Sequence, residues 1–327
     1  GYLLLAFFPL LALNLLLSLA ESFSAANTLL GWVEFVVRIL LMLLAIALSY
    51  PLLKLAFPAP QGMELNTENA AKLHNLIDEL KQEYQQPVID RVVLRPGFAV
   101  SSLKTPRFGL PFLSTNTLII GISALQCLPP LHFKTLLARH IGLLSGVHSL
   151  FNSWLYYLPA MWKQYRDVFK QHPHLLAKPL YIIFMIYTPL FELIAFFARR
   201  RGELEGDRYA LDVTNDKDMA EIFSQLIITE KFINQKFWPK IHQLARRNKG
   251  QPPHLPYTSM VKVLRNGLTK EDMQSWLKQA LEATANNNDP APLLGQRLEN
   301  IGHDKPASPR PLKETAAEHY LDAVSYT

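Results

Sequence analysis

The chain has 327 residues, a formal net charge of +6 and a pI near 9.2. The basic excess is diffuse, with no stripe of Lys and Arg interleaved with aromatics, which argues against a nucleic-acid partner. The single cysteine, Cys127, excludes an intrachain disulfide and a cysteine-based zinc site, while the 49% hydrophobic content, gathered in a few blocks, points to a membrane protein.

Residues 2–20, "YLLLAFFPLLALNLLLSLA", carry no charge, and roughly 20 apolar residues suffice to cross the hydrocarbon core as a helix. The basic n-region of a secretory signal is not visible, so a retained transmembrane helix is expected. A second crossing is expected over 32–57, with Trp32 at the interface and Glu34 paired to Arg38 one turn on. The loop 21–31 has Glu21 and no Lys or Arg, whereas later residues bring the positive charge. The positive-inside bias then places everything after Phe57 in the cytoplasm.

"PAPQ" at 58–61 reads as a stiff linker. Residues 66–85 predict an amphipathic helix with Leu73, Leu76, Ile77 and Leu80 on one face. Over 88–122 the period changes to that of short strands separated by Pro, Gly and Asn, which predicts a small, mostly antiparallel sheet. A helix over 131–147 follows. The segment 179–198 is long enough to span a membrane but is basic at both ends, with Lys170 and Lys178 before it and Arg199, Arg200 and Arg201 after. It is expected to lie on, dip into or make a hairpin with the membrane, or to be a buried core helix. Helices are expected over 203–213 and 216–246. Thr269 to Asp272 has capping-box-like spacing ahead of another helix, and a polar tail ends the chain.

The helix over 131–147 contains "LLARHIGLLSG". In order along the chain, "RFGLPFLSTNTLIIGISALQCLPPLHFKTLLARHIGLLSGVH", "RRRGELEGDRYALDV", "FWPKI", "HLPYTSM" and "LLGQRLENIG" resemble stretches of the HtpX-type integral-membrane zinc metallopeptidases, relatives of the CAAX prenyl protease. The resemblance covers roughly 60 to 320 and rests on several ordered blocks. It implies an α+β, mostly helical fold: N-terminal transmembrane helices, then a gluzincin-like peptidase domain with a small antiparallel sheet, then a helical C-terminal region. The expected boundaries are an anchor over 1–58, a peptidase-like domain over 59–214 with a membrane-associated insertion near 148–198, and a helical region over 215–327. The location implied is a bacterial inner membrane, with the peptidase-like domain cytoplasmic.

The family frame departs from the family chemistry. A gluzincin takes two zinc ligands and its general base from His-Glu-x-x-His on one helix face, and a third ligand from a later helix. In that frame Arg139 stands at the first His, His140 at the Glu and Leu143 at the second His. Glu203 matches the third ligand and Asp207 the carboxylate behind it, while Pro290-Ala291-Pro292 lacks a histidine of the frame. Leu143 has no donor atom, and a guanidinium carries no lone pair for a cation. Glu203 and His148 remain as residual metal candidates. Arg139 is expected to supply the missing positive charge by pairing with Glu203, the alternative being an Arg139 that snorkels to solvent.

Two functions follow. One is a membrane-anchored, inactive relative without a cofactor, binding peptide or membrane-protein partners, for instance by edge pairing along the strand near "NTLIIGI". The other is an active zinc endopeptidase with a site rearranged around His140, His148 and Glu203.

Overall fold

A computed structural model describes residues 1–24, 27–53, 55–108, 110–145, 150–172, 174–247, 256–284 and 290–321. The elements are α1 (Tyr2–Leu17), α2 (Leu19–Ser24), α3 (Leu29–Leu53), β1 (Met63–Glu64), α4 (Ala71–Glu83), β2 (Arg91–Arg95), β3 (Val100–Arg107), β4 (Leu110–Gly121), α5 (Ile122–Cys127) and α6 (Pro130–Ser145). They continue with α7 (Leu150–Gln171), α8 (Ala177–Leu211), α9 (Asp216–Lys231), a π-helical turn (Phe232–Phe237), α10 (Trp238–Arg247), α11 (Pro256–Asn266), α12 (Lys270–Glu282), α13 (Leu294–Asn300) and α14 (Ala316–Tyr320). The protein is mostly helical with one small sheet.

The chain divides into two compact units. The first comprises Gly1–Ala59, Lys104–Thr115 and Tyr157–Ile194. Its α1 and α3 expose large apolar side chains along their length, among them Leu10, Leu17, Leu40 and Leu44. A hydrophobic surface of this kind is stable in lipid and costly in water. Three stretches are long and apolar enough to cross a membrane: Leu5–Ser24, Leu29–Leu52 and the helix Ala177–Leu211. The interior of this unit is an aromatic cluster in which Trp162, Tyr165, Phe169 and Phe184 pack with Leu55 and Leu158. Arg38 pairs with Glu34 at 2.7 Å, as helical neighbours four apart do.

The second unit comprises Pro60–Leu103, Asn116–Tyr156 and Ala195–Thr327. Leu73, Leu76, Ile77 and Leu80 of α4 are all buried. They join Val92 of β2, Leu118 and Ile120 of β4, and Phe133, Leu137 and Ile141 of α6 in one core. The C-terminal helices close two smaller cores, one holding Phe237, Met260 and Trp276 and the other Phe223, Leu294 and Leu298. Local signals start these helices: the Asn215 side chain accepts from the Asp218 amide at α9, and Thr269 from the Asp272 amide at α12.

Three expectations are corrected. The sheet is mixed rather than mostly antiparallel, with strand order β1-β2-β4-β3. β1 is antiparallel to β2, but β2 runs parallel to β4, Val93 opposite Ile119. The cause is the run Thr117 to Ile120, in which every residue is buried. A strand apolar on both faces belongs in the middle of a sheet, so β4 inserts between β2 and β3. For the same reason "NTLIIGI" has no free edge for a peptide. Finally, no helix starts near 203: α8 runs unbroken from Ala177 to Leu211, with Pro189 inside it.

Candidate functional site

The site lies where α6 and α8 pack within the second unit. The two helices approach closely because two glycines allow it. A Cβ on Gly142 of α6 would stand 2.4 Å from the Tyr209 ring, and one on Gly206 of α8 would stand 3.0 Å from Arg139 Cγ and 3.1 Å from Leu143 Cδ1. Arg139 and Leu143, one turn apart on α6, therefore face α8 together. Tyr209 is fixed from its other side by Tyr84, whose ring meets it edge-on and whose hydroxyl donates to the Tyr209 carbonyl at 2.6 Å.

Arg139 is buried, its side chain only 10% exposed. Its Nε donates to Asp207 Oδ1 at 3.0 Å, and its Nη2 pairs with Glu203 Oε2 and reaches the Glu203 carbonyl at 3.2 Å. Glu203 is held from the other side by the Tyr156 hydroxyl, which donates to Oε1 at 2.6 Å. Asp207 has no exposed surface and takes a second guanidinium: Arg297 of α13 donates to its Oδ2 at 2.9 Å and its Oδ1 at 2.6 Å. The Arg297 guanidinium lies 4.1 Å from the centre of the Phe223 ring, a cation–π contact that fixes its plane. Two guanidiniums thus balance two carboxylates in a network whose hydrogen bonds are charge-assisted. Burial would lower the affinity of Arg139 for its proton, but the adjacent Glu203 and Asp207 outweigh it and hold the guanidinium charged.

His140 is one residue further, about 100° around the helix, and makes no hydrogen bond to this network, although it lies near enough to feel the charges of Arg139, Glu203 and Arg297. Its ring is buried, and Nδ1 has no hydrogen-bond partner among the described residues. Burial, reinforced by the neighbouring Arg139 charge, drops its pKa to about 3. The imidazole is neutral and too weak a base to take a proton from water near pH 7.

The structure therefore brings together Arg139, Glu203 and Asp207, places Leu143 against Gly206, and leaves His140 beside the network without a hydrogen bond to it. His148 lies outside the described residues. Tyr156 and Arg297 were not anticipated. Arg297 could have been, because Leu294, Arg297, Leu298 and Ile301 follow the i, i+3, i+4, i+7 spacing of a buried face, and a lone arginine there needs a carboxylate.

At the positions where the peptidase resemblance would place zinc ligands, Glu203 and Asp207 are bonded to guanidiniums and Leu143 offers no donor atom. The chain matches no family model, no curated protein and no solved structure.

Proposed function

We propose that this protein is a membrane-anchored relative of the HtpX-type peptidases in which a guanidinium stands where the metal would be, and that it binds peptide or membrane-protein partners without cutting them. The observation that carries the reading is Arg139 bonded to both Glu203 and Asp207. A buried carboxylate pair deprived of a cation is costly, and Arg139 with Arg297 supplies the compensating charge in a fixed geometry. Such a site keeps the fold of its ancestors while lacking a ligand set and a general base. The rearranged zinc site is disfavoured because Glu203 is bonded to Arg139 and Tyr156, and Asp207 to Arg139 and Arg297. The three apolar helices support an integral-membrane location, the charge distribution favours the second unit in the cytoplasm, and the family resemblance alone suggests a bacterial inner membrane.

Rebuilding the motif tests this reading. The triple variant Arg139→His, His140→Glu, Leu143→His should bind about one zinc per chain, and adding Glu203→Ala should abolish binding. A folded triple variant that takes up no zinc would show that α6 and α8 do not carry a peptidase frame.

A further inference from the structure

The first unit includes the outer part of the β3–β4 hairpin, Lys104–Thr115, and its tip is built against the usual logic of a turn. Phe108 is 85% exposed and has φ 52°, a left-handed conformation that suits Gly or Asn and strains a bulky side chain. Leu110 and Leu113 beside it are also exposed. A tip meant for water would carry small polar residues here.

The root of the hairpin is anchored to α7. Gln164 Nε2 donates to the Lys104 carbonyl at 3.0 Å, and the Lys104 ammonium sits 4.8 Å from the centre of the Tyr157 ring. The same turns of α7 carry Trp162, in edge contact with Tyr2, and Tyr165, in edge contact with Phe57. Tyr2 opens α1 and Phe57 follows the end of α3, so the hairpin root lies level with one end of both apolar helices. The apolar stretches that α1 and α3 could carry across a membrane stop at Leu5 and Leu52, so this level is where the hydrocarbon core would end. Arg107, exposed and bonded through Nε to Thr115 Oγ1 at 2.8 Å, sets a cation beside the apolar tip.

We propose that the β3–β4 tip is a lipid-inserting wedge, with Phe108, Leu110 and Leu113 in the interfacial layer and Arg107 and Lys104 at the level of anionic headgroups. The inference rests on the membrane reading of α1 and α3. Its occupant is lipid rather than a protein partner because exposed apolar side chains beside cations, on a hairpin anchored at the level where α1 and α3 end, are the pattern of an interfacial segment.

The test uses the full chain in vesicles of phosphatidylcholine and phosphatidylglycerol. Cys127 is fully buried, so an introduced cysteine can be labelled alone with an environment-sensitive fluorophore. Phe108→Cys is compared with Leu41→Cys in the middle of α3 and Glu271→Cys on exposed α12. The lipids carry bromine either near the headgroup end of the acyl chain or near its terminus. The label at 108 should shift to the blue and lose emission chiefly to the shallow bromines, at a depth of about 5–10 Å. The label at 41 should be quenched by the deep bromines and the label at 271 by neither. A label at 108 that behaves like the one at 271, while 41 is quenched, overturns the wedge alone. A label at 41 that escapes quenching overturns the membrane reading and the wedge with it. Replacing phosphatidylglycerol with phosphatidylcholine should reduce quenching at 108 and leave 41 unchanged. Equal quenching at 108 in both lipids would remove the headgroup role of Arg107 and Lys104.

Discussion

Removing the Arg139 guanidinium should destabilise the α6–α8 packing in proportion to what each carboxylate loses. Arg139→Met keeps most of the side-chain volume and deletes the charge. Breaking a buried ion pair from one side costs about 3–5 kcal/mol. Asp207 keeps its bidentate contact with Arg297, and Glu203 keeps Tyr156 and is 19% exposed, so the low end, about 3 kcal/mol, is expected. Asp207→Asn removes the carboxylate shared by both guanidiniums at a position with no exposure, leaving Arg297 without a carboxylate and Arg139 with Glu203 alone, and should cost nearer 5 kcal/mol. Glu203→Gln retains a group that can accept from Tyr156, and should cost about 1.5–3 kcal/mol, the range for one charged hydrogen bond. The assay is hydrogen exchange on the full chain in detergent, read on the α6 and α8 amides, because it reports local opening without requiring the whole chain to unfold in one step. The Arg139→Met and Glu203→Gln changes should be non-additive, since the two residues are in contact. An Arg139→Met variant that shifts exchange by less than about 0.5 kcal/mol, as a surface substitution does, would refute the reasoning and put Arg139 in solvent.

Acid should loosen the second unit through two buried histidines. Burial lowers His132 to about 4 and His140 to about 3, while both return to about 6.5 on unfolding. Below that value the unfolded chain binds more protons, so the stability they permit is full above about pH 6.5 and falls as pH drops toward 3–4, by up to about 1.4 kcal/mol per pH unit for each histidine. His140→Gln should flatten part of that slope in exchange measured between pH 7 and 5, and an unchanged slope would mean His140 is not buried neutral. Gly142→Ala should cost about 1–3 kcal/mol by forcing a methyl into the Tyr209 ring. Gly295→Ala on α13, where nothing lies within 4 Å, should be neutral or stabilising by less than about 1 kcal/mol; equal losses at the two sites would contradict the close α6–α8 approach.

Local patterns were legible where the physics is local. Leu73, Leu76, Ile77 and Leu80 repeat at the helical period, and the cap at Thr269 depends on Asp272 three residues on. The strand order was not legible, because a run such as Thr117 to Ile120 states that it is buried but not which strands flank it. The continuity of α8 was misread for a related reason. The change from apolar residues to Arg199, Arg200 and Arg201 alters what surrounds a helix, yet its hydrogen bonds are local and nothing at Arg199–Glu203 interrupts them. At the site, the motif frame brought Arg139, Glu203 and Asp207 into view. Arg297 and Tyr156 belong to no motif and enter only through packing, 90 residues after Asp207 and 47 before Glu203.

Zinc stoichiometry of the wild-type chain tests the central claim most directly. Purified in detergent under metal-replete conditions and dialysed, the protein should hold no stoichiometric zinc, and Glu203→Ala should leave the trace level unchanged. About one zinc per chain, lost in Glu203→Ala, would contradict the guanidinium's place in the site and restore a metal centre on Glu203.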